Sequence, residues 1–270
     1  MKTIVFATDF SRGSRKAAQT AAQTATKTGA KLILFHAYRF LMPYDSEMSM
    51  LALTSKDLEK HSLYMLKRLK ARLIKKFSPA LEIELMVKEG LVVDALTEVL
   101  DETNADLLVM GSVGDSPLGS RYFGSLATSM IHHANVPMLL VPPKAKFSAF
   151  QNTVLGLDFR YDIDATLLGK TINILRDLDA VVNLYTVADE SEYAKASALK
   201  IRELMKNVPH TYTLVEGGDF PKAVLDFSRA NHSDLIITFP RKHNLFERFF
   251  IETNTERLAL NEEIPILTVV

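Results

Sequence analysis

Cysteine is absent from the chain. Thiol catalysis, disulfides and thiolate metal ligands are excluded together, and the absence fits a reducing compartment. No run of about 18 apolar residues occurs, so no membrane span is expected. The opening MKTIVFATDFS carries one lysine and a short apolar run cut off by Thr8 and Asp9. It is too short and too interrupted for a signal peptide and reads as a buried strand. The expected location is cytoplasmic. Neither sign of charge is in excess, since 32 Lys and Arg balance 32 Asp and Glu. No global field recruits nucleic acid or anionic lipid, and neither is expected as a partner. Glycine is scarce, with eleven in 270 residues. Four of these, Gly111, Gly114, Gly119 and Gly124, crowd into VMGSVGDSPLGSRYFGSLATS.

What is present is a globular profile of 47% hydrophobic and 24% charged residues, long enough for one large domain or two ordinary ones. Residues 3–8 form a short β-rich run. Ala17, Ala18, Ala21, Ala22 and Ala25 then make one small apolar helical face over residues 14–28, with Gly29 where a C-terminal cap belongs. Strands are expected at 32–37, 83–87, 106–110 and 137–141. Helices are expected from a cap at Thr54 or Ser55 to about Lys76, at 92–100 and at 124–133. Strict alternation of strand and helix argues for parallel strands with helices on both faces.

The pattern then restarts. TVLGLDF at 153–159 lies over IVFATDF at 4–10 with an offset of 149, which puts Asp158 on Asp9. SDLIIT matches ADLLVM, and EIPILTV matches NVPMLLV, both at an offset of 128. The 21-residue difference falls between the second and third strands. Residues 32–37 match 181–186 at the larger offset, and the third strands match at the smaller. The expectation is two tandem copies, residues 1–143 and 150–270, joined by PPKAKFSAFQ.

A strand, a glycine-rich loop and a helix N-terminus together make a phosphate cradle. Glycine lets backbone N–H groups approach an anion, and the helix end adds unpaired donors. Ligands of open parallel sheets sit at the carboxyl ends of strands. Asp9 ends the first strand at that edge, where its carboxylate can accept from an amino group or a hydroxyl. Turn-making alone is the plain alternative.

The spacing is G-x2-G-x9-G-[S/T], from Gly111 and Gly114 to Gly124-Ser125. With ATDFS, LFHAY, VKEG and VPMLLV it resembles the ATP-binding branch of the universal stress protein family. The resemblance covers the first half, and more weakly the second. It implies two tandem flavodoxin-like or Rossmann-like (adenine nucleotide alpha hydrolase-like) α/β domains, each a five-stranded parallel sheet with helices on both faces. It also implies roles. Ala7, Thr8 and Asp9 would hold the adenine and its ribose, and Ala37 would pack on the base. Met110 and Gly111 would line base and ribose, with Val113 in the same set. Gly114, Gly124, Ser125 and Leu126 would place amides around the phosphates. The ligand would be ATP or AMP, with Mg²⁺ left open. Asp115 either repels a γ-phosphate or helps hold the ion, and Arg121 is the only cation in the loop. The final strands of the two halves would pair antiparallel as an intrachain pseudo-dimer. A homodimer is open.

The second copy has lost the loop. Phe239, Lys242 and Glu252 stand where the first half has Gly111, Gly114 and Gly124, and Thr253 matches Ser125. No nucleotide is expected there, which leaves a structural or partner-binding role. Phe246, Phe249, Phe250 and Ile251 offer apolar surface, or simply helix packing. DATLLGKT at 164–171 mimics a Walker loop, yet it has Asp164 where that motif needs glycine and is periodic enough for a helix. His132 and His133 diverge on a helix, a poor pair for one metal. His36 reads as a strand-end residue. The leading function is an adenine-nucleotide-binding stress-response protein with a regulatory or protective role. The alternatives are a slow ATP hydrolase, disfavoured because no general base stands beside the loop, and a nucleotide-independent adaptor. No catalytic residue is assigned. The segment 38–54 leaves the ligand edge and is either a lid or packing for the next helix.

Overall fold

The computed structural model describes residues 1–40, 54–112, 125–146, 150–158, 164–188, 192–216, 220–239 and 263–270. Its elements are β1 (Thr3–Ala7), α1 (Ser14–Thr28), β2 (Lys31–Tyr38), α2 (Ser55–Lys76), β3 (Ile83–Glu89), α3 (Val92–Glu102), β4 (Leu107–Gly111), α4 (Ser125–His133) and β5 (Met138–Val141). They continue as β6 (Asn152–Asp158), α5 (Ala165–Asp177), β7 (Val181–Ala188), α6 (Glu192–Met205), β8 (His210–Glu216), α7 (Phe220–Ala230), β9 (Leu235–Thr238) and β10 (Ile266–Thr268).

Local chemistry sets the helix ends. Gly29 closes α1 at φ 69°, a left-handed position that glycine takes without strain. Thr54 opens α2 through a reciprocal capping box with Asp57. Asp164 caps α5 by accepting from the Thr166 N–H at 2.7 Å, so the Walker-like stretch is helix, as its periodicity predicts.

Ten strands form one sheet in the order β3-β2-β1-β4-β5-β10-β9-β6-β7-β8. β1 to β5 are mutually parallel, and so are β6 to β10. The two sets meet where β5 and β10 pair antiparallel, with Leu139 opposite Leu267. The α/β architecture of parallel five-strand sets covered on both faces is the one the alternating pattern predicts.

Side chains alternate across the sheet with period two. Ile4 and Phe6 of β1 join Leu32 and Leu34 under α1 and α2. Val5 and Ala7 join Ile33 and Phe35 against α3 and α4. The first of these layers runs on without a break through Leu139, Leu267 and Val182 to α5 and α6. On the second face α7 packs over Val154 and Ile236. The alanine face of α1 is wholly buried, and its small side chains let the helix lie close over the centre of the sheet.

The register corrects the alignment of the two halves at two strands. Thr3 pairs with Lys31, but Asn152 pairs with Val181, so β2 and β7 correspond at 150 rather than 149. Leu32 pairs with Ile83 and Val182 with His210, which sets β3 and β8 at 127. The reason is facial. Only this register puts Val182 and Leu184 in the core beside Leu32 and Leu34, whereas Val181 is exposed.

Candidate functional site

Two chain directions part at the carboxyl ends of β1 and β4. From β1 the chain turns to α1 and β2 on one side. From β4 it turns to α4 and β5 on the other, on the opposite face. This is a topological switch point, where adjacent connections leave a crevice. Ile4, Val5 and Phe6 pair with Leu107, Leu108 and Val109. Continued by two residues, that register brings Thr8 level with Gly111.

The turn after β1 is held by side chains. The Thr8 N–H donates to the Phe35 carbonyl at 3.0 Å, which extends the strand by one residue. The Thr8 hydroxyl accepts from the Phe10 N–H at 2.9 Å and lies 3.2 Å from the Ser14 hydroxyl. Ser14 in turn donates to the Ser11 carbonyl at 3.0 Å. Both oxygens are buried, so the hydroxyls run as a one-way relay, Thr8 to Ser14 to Ser11.

Asp9 is exposed at the tip of this turn. Its Oδ1 accepts from the Ser11 N–H at 3.0 Å, and its other oxygen has no partner among the described residues. Asp9 is not the cap of α1. The N-cap position is Gly13, and the Ser14 N–H that opens the helix is held by the Ser11 hydroxyl at 3.1 Å. The carboxylate is thus aimed by a local turn and left with accepting capacity.

Phe10 takes φ 62°, uncommon for a bulky residue. Its ring sits 4.4 Å from that of His36, tilted by 39°. The His36 Nδ1 lies 2.7 Å from the Thr8 carbonyl oxygen. A carbonyl only accepts, so Nδ1 carries the proton. Burial holds the His36 pKa below its ordinary value, against the opposing pull of that hydrogen bond and of Asp9. Neither contact is visible in the sequence, where His36 is simply a strand-end residue. The adjacency of β1 and β2 is the only signal that could have paired them.

Several of the residues singled out by sequence gather here. Ala7 and Met110 are buried in the layer against α3 and α4, and Ala37 and Leu126 pack at its margin. Met110 is core, which leaves its backbone as the part able to line a ligand. Gly111 is half-buried at the end of β4. The next residue, Ser112, donates its N–H to the Val141 carbonyl at 3.0 Å. Ser125 begins α4. Val113, Gly114 and Gly124 lie outside the described residues, as do Asp115 and Arg121, the segment 41–53 and the equivalent loop of the second half. Sequence reasoning missed Leu91 and Val92, which stand exposed where α3 begins. Among the described residues no cluster of side chains with metal-binding potential occurs, and no helix is long and apolar enough to cross a membrane.

The model of the universal stress protein family matches residues 1–142. The chain belongs to that family. A universal stress protein of Thermus aquaticus is 29% identical over 140 residues, 52% of this chain and 98% of its own. A universal stress protein of Archaeoglobus fulgidus DSM 4304 superimposes with a TM-score of 0.73, covering 99% of this chain and 97% of its own at 15% identity. That likeness is one of fold and extends over both halves of the sheet. A universal stress protein solved in complex with cAMP is 31% identical, covers 52% of this chain and 95% of its own, and has a TM-score of 0.40.

Proposed function

We propose that this universal stress protein binds one adenine nucleotide per chain, ATP or AMP, in the crevice between β1 and β4. The observation that carries the reading is the placement of Asp9. One of its carboxylate oxygens has no partner among the described residues, and Asp9 follows Thr8, which the β1–β4 register sets level with Gly111, the first residue of the G-x2-G-x9-G-[S/T] spacing. In this reading Asp9 accepts from the base or ribose, and Ala7, Thr8, Ala37, Met110, Gly111 and Val113 surround them. Gly114, Gly124, Ser125 and Leu126 serve the phosphates. Mg²⁺ would arrive with the phosphates, and Asp115 is the carboxylate placed in sequence to meet it.

The two halves, 1–143 and 150–270, are in this proposal tandem copies forming an intrachain pseudo-dimer about the β5–β10 seam, of which only the first keeps a nucleotide site. Support comes from the position that matches Val92 in the second half. There Phe220 is 3% exposed, against 40% for Val92. Its ring lies over Gly156, where an added Cβ would meet the Phe220 Cζ at 3.2 Å. An aromatic side chain is thus packed on β6 in the second half, at the position where the first half has the exposed Val92. The role is regulatory or protective and cytoplasmic, exercised through nucleotide-dependent shape.

Calorimetric titration of the full chain with ATP, AMP and cyclic AMP tests the reading. Saturation near one nucleotide per chain is expected. A stoichiometry near two, or no heat with any of the three, refutes it. Phosphate release at saturating ATP then distinguishes a binder from a slow hydrolase.

A further inference from the structure

The two outer strands of the sheet are built differently. β3, with the sequence IELMVKE, is defended by charge. Glu84 pairs with Lys31 at 3.0 Å, and Lys88 pairs with Glu98 and Glu102, each at 2.7 Å. Charged side chains on an outer strand discourage further pairing. β8, with the sequence HTYTLVE, has no lysine, arginine or proline. Large apolar residues are exposed on it and on the helix before it: Leu214 at 51%, and Leu199 and Leu204 of α6 at 67% and 41%. We propose that the outer edge of β8, unpaired among the described residues, is a self-pairing surface, on which a second copy of this chain adds antiparallel about a two-fold axis through Thr213.

The backbone carries the choice of partner. Val182 lies in register with His210 and donates its N–H to the Pro209 carbonyl at 3.2 Å. In a parallel ladder this turns the polar groups of Thr211, Thr213 and Val215 toward β7, and the Thr213 carbonyl duly accepts from the Thr186 hydroxyl at 3.2 Å. The N–H and C=O groups of His210, Tyr212, Leu214 and Glu216 therefore face outward. An antiparallel copy centred on Thr213 sets Tyr212 opposite Leu214 and His210 opposite Glu216. All four outward residues then fall in hydrogen-bonded pairs, and Thr213 meets its own copy in a non-bonded pair. Moving the axis by one residue along the strand leaves one outward residue without a partner. The same register keeps the backbone pairing continuous from His210 to Glu216. It also makes two cross-strand pairs of an aromatic with a leucine on one face, a stabilising combination. A strand whose outward pattern is complementary to itself selects an identical partner, the condition for a two-fold dimer.

The absence of cysteine makes the test clean. Thr213→Cys introduces the chain's one thiol at the proposed axis, where the Cα atoms of a non-bonded antiparallel pair are about 4.5 Å apart, within disulfide reach. Under mild oxidation this variant should cross-link to a covalent dimer, and Glu84→Cys on the opposite edge should not. In sedimentation velocity the unmodified chain should show a concentration-dependent dimer at micromolar levels. Leu214→Lys, a change at an already exposed side chain, should weaken it at least about tenfold with an unchanged thermal melt. A chain that stays monomeric throughout overturns the proposal. So does a dimer that survives Leu214→Lys, or cross-linking of Thr213→Cys no faster than of Glu84→Cys.

Discussion

The imidazole of His36 ties the second strand to the turn after the first, with Nδ1 2.7 Å from the Thr8 carbonyl oxygen and the ring against Phe10. Asp9 sits between those two contact points. The turn that carries the carboxylate thus leans on a histidine one strand away.

That dependence has a pH signature. The folded pKa of His36 lies below its ordinary value of 6.5, with burial as the leading cause. Between the two values the unfolded chain binds more protons than the folded one, so stability rises with pH there. The contribution is complete above about 6.5 and is lost as pH falls through the lowered folded value. Thermal melts across that window should decline for the unmodified chain and flatten for His36→Gln. Equal slopes for the two would remove His36 as the cause.

Asp9→Ala should weaken adenine nucleotides at least about tenfold, or about 1.4 kcal/mol. Because Asp9 does not cap α1, whose first N–H is held by Ser11, the unliganded fold loses only the bond to the Ser11 N–H, worth about 0.5–1.5 kcal/mol net. Calorimetry and melting separate the two effects. A large drop in melting temperature with unchanged affinity would make Asp9 purely structural.

Gly124→Glu copies into the first half the residue that Glu252 supplies in the second. Binding should again fall at least about tenfold, since a carboxylate would stand where phosphates are proposed. A folded variant that binds ATP as before contradicts the phosphate assignment.

Two alanine substitutions should differ in sign. At Gly156 a Cβ would lie 3.0 Å from Val224 Cγ2 and 3.2 Å from Phe220 Cζ, so crowding should cost about 1–3 kcal/mol. At Gly169, inside α5, a Cβ meets nothing within 4 Å, and helix propensity should add up to about 1 kcal/mol. Denaturant unfolding of both variants checks the pair. Equal effects would mean that α7 gives way over Gly156.

Much of this fold was legible in the sequence because it is periodic. The alanines of α1, the Thr54 cap and the glycine at position 29 each follow from local rules, and the strand–helix alternation implies the layers. Of the candidate site, the sequence places Asp9 and Gly111 at the ends of β1 and β4, since strand ends follow from the same periodicity. Contacts between strands were not legible. The alignment places the second strands one residue off, because Leu32 resembles Val181 as well as Val182 until the sheet says which of them is buried. The Phe10–His36 contact and the Ser11–Ser14 bond were hidden for a similar reason, since both depend on where a turn points.

The antiparallel seam between Met138–Val141 and Ile266–Thr268 has a consequence for traffic. The strands of the two halves run opposite ways, so the crevice beside Asp9 opens at one pole of the molecule and the strand end at Asp158 lies at the other. A small molecule at the first pole and a macromolecule at the second would never compete for space. Coupling between them would run across the seam through the shared layer of Leu139, Val141, Leu267 and Val269.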